Sequence, residues 1–399
     1  MTDFTYYTPT EVVFGRNSEE ALPGLLKKYG AHKVLIHYGG GSAVRSGLVS
    51  KIEGFLDSKG LPFAELGGVV PNPHLSLVRE GVELCRKEGV DFILAVGGGS
   101  VIDSSKGIAY GLACDGDIWD YFDGKAVPAA CFPVGVVLTI PASGSEMSDS
   151  CVLTNTEKGQ KRGCNSNLCR PRFAIMNPER SFTLPAWQTA CGVTDIMMHT
   201  MERYFTPDSP MGITDEIAEG LMHSVRTDGE KLLSDPGNYD LRASIMWAGS
   251  LAHNGLTGCG ARNDFGTHRL EHELSTMYGV AHGAGLAALW CHWAKYVMKV
   301  DTGRFARFAT KVMDISPESS GKGPVAEETL ALAGISAMHD FYRRIGMPTS
   351  IPELIGRRAT EEEMVTMAER CSRGKTFTVG SFKVLGYDEM LEIYHLANG

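Results

Sequence analysis

The sequence has no run of clustered lysines or arginines, and its 47 acidic against 38 basic residues leave a net charge of −9. A phosphate backbone rewards clustered cations, so no nucleic-acid partner is expected. A membrane-length apolar run is missing too. The longest segment free of both charged residues and histidine, Ala126–Ser145, is interrupted by Pro128, Pro133, Pro141 and two glycines, and it reads as a loop, a buried strand and a second loop. Met1–Val13 lacks the basic start and apolar run of a secretory signal. The 10 cysteines are scattered without a CxxC pair, the pattern of reduced thiols in a cytoplasmic protein. There is no internal repeat and no low-complexity tail.

What is present is ordinary globular composition, 43% hydrophobic and 21% charged, in 399 residues. At about 150 residues per domain, two to three domains are expected. The first part alternates short apolar runs with helical patterns. Val34–His37, Asp91–Val96, Val134–Ile140 and Phe173–Met176 are bounded by glycine or proline, as strands buried on both faces are. Ser42–Lys59, His74–Glu88 and Asp103–Ala113 have helical spacing. Strand–turn–helix repetition predicts an α/β domain with a parallel sheet. After Pro185 the character changes to all helix: Thr189–Phe205, Thr214–Leu233, Tyr239–Asn254, Phe265–Tyr278, Gly283–Met298 and Glu327–Ile345. The predicted domains are therefore residues 1–184 and 185–399, with Ser316–Pro324 as an exposed loop.

Three polar turns close three of the predicted strands. Gly97-Gly98-Gly99-Ser100 opens a helix, where unpaired N–H groups and the positive dipole end favour a phosphate. Tyr38-Gly39-Gly40-Gly41-Ser42 ends another strand, and Thr139 to Ser145 a third, with Thr139 and Ser143 as polar candidates. Neither glycine cluster supplies GxGxxG, so the ordinary dinucleotide fingerprint fails. No acidic residue stands at Tyr38 or Gly39 to hold a ribose diol, and with Ser42 and Arg45 nearby this permits a 2′-phosphate. Turns at the carboxyl ends of parallel strands form the crevice where open α/β sheets bind ligands.

Asp195 and His199 are four apart on one predicted helix face, among Val193, Ile196, Met197 and Met198. His268 and His272 repeat that spacing, and His282 follows. One carboxylate with up to four imidazoles suits a borderline divalent cation, Fe²⁺ or Zn²⁺, better than Mg²⁺ or Ca²⁺. Spacing alone leaves His268 and His272 equally eligible.

Taken in order, these motifs resemble the iron-containing, group III alcohol dehydrogenases. The segments carrying the likeness are Gly97-Gly98-Gly99-Ser100-Val101-Ile102-Asp103-Ser104-Ser105-Lys106, Leu138 to Met147, Gly192 to Glu202, and His268 through His272 to His282-Gly283. Tyr38–Ser42 and Val70-Pro71-Asn72-Pro73 are similar to the butanol dehydrogenase and NADPH-dependent aldehyde reductase branch. The resemblance implies an N-terminal dinucleotide-binding α/β domain, an all-α C-terminal domain and a cleft between them, the dehydroquinate synthase-like architecture. It implies metal ligands Asp195, His199, His268 and His282, with His272 left as a catalytic candidate near the substrate. It implies NADP, with NAD as the variant, on Gly39, Gly40, Gly41, Ser42, Asn72, Gly98, Gly99, Ser100, Asp103, Thr139, Ser143 and Lys161, and a catalytic part for Asp103. The implied reaction is hydride transfer between the nicotinamide and a short- to medium-chain alcohol or aldehyde, in a cytoplasmic homodimer. Ser148 departs from the pattern, since many relatives carry Asn there. A glycerol dehydrogenase-like polyol oxidoreductase, or a nucleotide-binding protein with a structural metal, are the rival readings.

Overall fold

The computed structural model describes residues 1–317 and 324–399. The loop expected over Ser316–Pro324 falls largely outside them. Contacts divide the chain into two units. One comprises Tyr7–Leu184 and Gly237–Asn254, and the other Met1–Tyr6, Pro185–Pro236 and Gly255–Gly399.

The first is a sheet unit. Its strands are β1 (Glu11–Phe14), β2 (Val34–Gly39), β3 (Phe63–Val69), β4 (Phe92–Gly97), β5 (Val134–Leu138), β6 (Ser150–Asn155), β7 (Gln160–Asn165) and β8 (Phe173–Met176). Six form a parallel sheet in the order β1-β8-β5-β4-β2-β3, and β6 and β7 make a separate antiparallel pair. Its helices are α1 (Leu22–Lys28), α2 (Ser42–Arg45), α3 (Leu48–Asp57), α4 (Leu75–Glu88), α5 (Gly99–Leu112) and α6 (Trp119–Phe122). The continuous apolar run of β4 serves two cores at once. Ile93 and Ala95 pack with residues of α4 and α5, and Phe92, Leu94 and Val96 pack with residues of α1 and α3.

That division fixes where a ligand belongs. The chain leaves β2 for β3 on one side and leaves β4 for β5 on the other, with their helices on opposite faces. The crevice at the carboxyl ends of β2 and β4 is the topological switch point, and both glycine clusters lie there.

Some elements differ from the sequence expectation. The predicted helix Ser42–Lys59 is two helices, because Gly47 is left-handed (φ 72) and ends the first. β3 carries Glu65 and two glycines rather than an apolar run, since it is an edge strand with one neighbour.

The second unit is helical. It holds α7 (Ala186–Tyr204), α8 (Ile213–Ser234), α10 (Gly266–Tyr278), α11 (His282–Val297), α12 (Thr302–Lys311), α13 (Pro324–Arg344), α14 (Ile351–Ile355), α15 (Glu361–Cys371) and α16 (Tyr387–Asn398). The remaining helix, α9 (Tyr239–His253), lies within the predicted all-helix half but belongs to the sheet unit. Met246 joins the sheet core, Ser250 Oγ donates to Glu146 at 2.5 Å, and Trp247 meets Phe14 edge-on. Helical periodicity reveals a buried face but not what covers it. No described helix is long and apolar enough to cross a membrane.

Candidate functional site

In the sheet unit the chain folds tightly at the end of β4. A Cβ at Gly98 would stand 3.0 Å from Ile140 Cβ, and one at Gly99 only 2.3 Å from Ser143 Oγ. The neighbouring β5 turn therefore leaves no room for a side chain at Gly99 and little at Gly98, whatever ligand approaches. No side chain caps α5, so the first-turn N–H groups near Gly99 and Ser100 have no side-chain acceptor. Thr139 N donates to Gly97 O at 3.0 Å, tying the β5 turn to the β4 turn. At the end of β2, Gly39 is half-buried, Gly41 has φ 134, and Ser42 begins α2. A Cβ on Gly41 would meet Arg45 Nη1 at 2.8 Å, so the exposed guanidinium lies against that turn. Asn72 follows β3 in a left-handed conformation (φ 56) between two prolines. The structure thus gathers the turns after β3, β2, β4 and β5, four adjacent strands, along one edge of the sheet.

Beneath these turns lies a buried polar network. Asp103 Oδ1 accepts from Ser145 Oγ at 2.5 Å and Oδ2 from Val152 N at 3.0 Å. Lys106, fully buried, donates to Ser145 Oγ (2.9 Å), Ser148 O (3.0 Å) and Ser150 O (2.8 Å), and Ser148 Oγ is 3.4 Å away. Burial pushes the Asp103 carboxyl up, against the pull of Lys106, Ser145, Val152 and Lys161. Lys161, on β7, is thus close enough to act on Asp103. Sequence reasoning assigns Lys106 no role, although a lysine three residues after Asp103 on an apolar helix is a usable signal.

In the helical unit, α7, α10 and α11 bring the Asp/His set together. Asp195 Oδ1 lies 3.4 Å from His199 Nδ1, 3.6 Å from His268 Nε2 and 3.9 Å from His282 Nε2. These separations are too long for hydrogen bonds. Among the described residues, Asp195 Oδ1 and His268 Nε2 are buried with no hydrogen-bond partner. Two ligands held about 2.1 Å from one tetrahedral ion stand roughly 3.4 Å apart, so the donor set fits a divalent cation. Donor atoms of Asp195, His268 and His282, one from each, lie within 4.8 Å of one another. His199 stands beside that triplet, its ring 4.6 Å from that of His268. The His272 ring is 5.9 Å from that of His282, and Glu271, His272 and His282 form a second close group. Burial opposes charge on His268, but Glu202 and Asp195 outweigh it and push the ring up to about 9.

Sequence reasoning misses two buried carboxylates. Glu202 accepts from His268 Nδ1, and Glu271 accepts from His282 Nδ1. Glu202 lies three residues after His199 and Glu271 three after His268, so a carboxylate one turn beyond a histidine is the available clue. Phe265 packs on His268 (5.3 Å) and His199 (6.4 Å) as an apolar wall. The close group is possible because Gly283 lets α11 touch α7. A Cβ there would stand 2.2 Å from the Cys191 carbonyl oxygen.

Comparison with known proteins places the chain in a family. The family model for iron-containing alcohol dehydrogenase matches residues 9–178, and the model for the C-terminal part of the Fe-containing alcohol dehydrogenase family matches residues 189–398. A probable NADH-dependent butanol dehydrogenase 1 of Bacillus subtilis is 40% identical over 393 residues, spanning 98% of this chain and 99% of that protein. The NADPH-dependent aldehyde reductase YqhD of Escherichia coli is 37% identical over 391 residues, 92% of this chain and 96% of that protein. The crystal structure of NADH-dependent butanol dehydrogenase A from Thermotoga maritima superposes with a TM-score of 0.94 at 37% identity, covering 100% of this chain and 99% of that one. With its glycine turns, its Asp/His cluster and both halves of the length accounted for, the chain belongs to the iron-containing alcohol dehydrogenase family.

Proposed function

We propose that this chain is an NAD(P)H-linked alcohol dehydrogenase and aldehyde reductase acting on short- to medium-chain substrates, with Fe²⁺ or Zn²⁺ held by Asp195, His199, His268 and His282. The observation that carries this reading is Asp195 Oδ1, buried without a hydrogen bond and faced by three imidazole nitrogens at 3.4–3.9 Å. A divalent ion in that set supplies Lewis acidity towards a substrate oxygen. Phe265, against His199 and His268, gives an aliphatic chain an apolar surface. His272 relays a proton to solvent, a role that suits an imidazole near neutral pH.

The main chain at Gly39–Ser42 and Gly98–Ser100 holds the dinucleotide, with the pyrophosphate at the start of α5. Thr139, Ser143 and Asn72 edge the same crevice, and Lys161 hydrogen-bonds the nicotinamide ribose. Both Asp103 oxygens are taken up by Ser145 and Val152, which favours a positioning part for this residue over proton exchange. NADPH is the preferred donor. Gly39 offers no carboxylate to repel a 2′-phosphate, and Arg45 lies over the Gly41 turn to meet one. The named relatives divide between NADH and NADPH, so the choice turns on these residues.

Ten free thiols support a cytoplasmic setting. β1 is an edge strand that ends in exposed Phe14 and follows exposed Tyr7, which supports a homodimer. The deciding experiment is a panel of aliphatic aldehydes with NADPH and NADH, on protein stripped of metal and reloaded with Fe²⁺ or Zn²⁺. Activity restored by the ion and higher with NADPH is expected. Turnover indifferent to metal removal would sink the reading.

A further inference from the structure

An imidazole gives a metal one nitrogen. The other carries a proton, and whatever accepts that proton decides which nitrogen is free and how the ring is turned. In this protein the two acceptors are neither water nor main-chain carbonyls. They are carboxylates, fully buried, each on a helix earlier in the chain than the histidine it holds.

Glu202 stands on α7, seven residues after Asp195 and three after His199, on the helix that presents both. Its Oε2 accepts from His268 Nδ1, and its Oε1 accepts the backbone N–H of the same residue at 3.1 Å. Ring and main chain of His268 are thereby gripped from one side. The backbone bond also satisfies a first-turn donor of α10, which no side chain caps at Phe265. Glu271 stands on α10, three residues after His268. Its Oε2 accepts from His282 Nδ1, and Ser275 Oγ donates to its Oε1. Room for it is made by α11, where a Cβ on Gly285 would lie 2.8 Å from both Cγ and Oε1 of Glu271. The helices are thus linked in series. A carboxylate on α7 sets the histidine of α10, and a carboxylate on α10 sets the histidine of α11.

We propose that Glu202 and Glu271 are positioning residues of the metal set. Each binds Nδ1–H of one ligand histidine, leaves its Nε2 facing Asp195, and raises the donor strength of the ring by adding negative charge behind it. The inference rests on the metal reading above and adds two residues to it.

Hydrogen-bond capacity makes the two glutamates unequal under one substitution. A glutamine side chain has one acceptor oxygen and one donor nitrogen. At 271 it still satisfies both neighbours, with its oxygen accepting from His282 and its NH₂ donating to the Ser275 hydroxyl. At 202 both neighbours are donors on separate oxygens, the ring N–H and the main-chain N–H of His268, so glutamine strands one of them. Glu202→Gln is expected to cost more than Glu271→Gln, although both remove one charge.

The test is the Zn²⁺ dissociation constant of the full-length, metal-stripped chain by chelator competition, with the thermal midpoint of the apo form measured alongside. Loss of an outer carboxylate typically weakens a site about 10–100-fold. We expect about 10-fold for Glu271→Gln, and towards 100-fold for Glu202→Gln, Glu202→Ala and Glu271→Ala. Gly285→Ala keeps every polar group and pushes the Glu271 carboxylate aside. It should match Glu271→Ala, and it keeps the inference testable if a glutamate variant fails to fold. Folded variants that bind Zn²⁺ as tightly as wild type, even with a lower midpoint, overturn the proposal and leave the glutamates as structural residues. A wild-type chain that takes up no divalent ion overturns the metal reading itself, and this inference with it.

Discussion

In the function proposed above, the sheet unit would offer its ligand mostly main-chain groups, and the helical unit side chains. At the ends of β2 and β4 the useful atoms are N–H groups of glycines and of the first turn of α5, and neighbouring residues serve to bend and crowd the backbone. In α7, α10 and α11 they are imidazole nitrogens and one carboxylate oxygen, and two of the imidazoles are aimed by a glutamate. A backbone site is damaged by adding atoms, and a side-chain site by removing them. The two units should therefore fail in opposite ways.

The sharpest test of that contrast is His268→Ala. Activity should fall by about 10³ or more, roughly 4 kcal/mol of transition-state stabilisation. The bound metal should go with it, while the NADPH dissociation constant holds. Metal analysis and a nucleotide titration on the same preparation check both halves. A parallel loss of nucleotide affinity would break the comparison.

The sheet unit carries a different sensitivity in His37. Its Nδ1–H donates to Leu66 O at 2.7 Å, so Nε2 accepts from Ser104 Oγ at 2.8 Å. Burial, only partly offset by the Leu66 bond, holds the ring down at about 4 against an ordinary 6.5. The neutral ring is the one that fits, so its contribution is complete above pH 6.5 and is lost as the pH falls towards 4. About 3 kcal/mol of stability should disappear over that window. Urea midpoints at pH 7, 5.5 and 4.5 measure the slope, which His37→Gln should flatten.

Gly283→Ala tests the helical unit by addition. With the Cys191 carbonyl 2.2 Å from the new Cβ, α11 must move off α7 and take His282 away from Asp195. Zn²⁺ affinity should drop by about 10². If it does not, the packing of these helices is looser than the contrast requires. Smaller effects are expected at the turns. Gly99→Ala puts a methyl 2.3 Å from Ser143 Oγ and should raise the nucleotide dissociation constant about 10-fold with metal content unchanged. Gly39→Asp should weaken NADPH about 10-fold more than NADH, by repulsion of the 2′-phosphate. An equal loss for both cofactors would remove Gly39 from the ribose end.

The same contrast explains what is legible in the amino-acid sequence. Glycine clusters ending apolar runs mark the tight strand-end turns directly, and helical spacing by itself pairs Asp195 with His199. The strands β3 and β6 are not legible, because an edge strand and an isolated hairpin need no continuous apolar run. Glu202 and Glu271 are also hidden. A glutamate in a helix ordinarily faces water, and only the approach of a neighbouring helix shows that these two face inward. Spacing leaves His268 and His272 tied. In the structure His268 Nε2 faces Asp195, and His272 lies near His282 and Glu271.

Helix α9 joins the sheet unit although residues on both sides of it belong to the helical one, and Met1–Tyr6 goes with the helical unit before the sheet begins. The polypeptide consequently passes from one body to the other at four places along its length. Neither body is a contiguous stretch that a simple truncation would release. A fragment stopping at residue 184 would lack Met246 and Ser250, and so would expose part of its own core. Anyone grafting this nucleotide module elsewhere must carry a discontinuous pair of segments, and any ancestor assembled by end-to-end fusion would have had to acquire that interleaving afterwards.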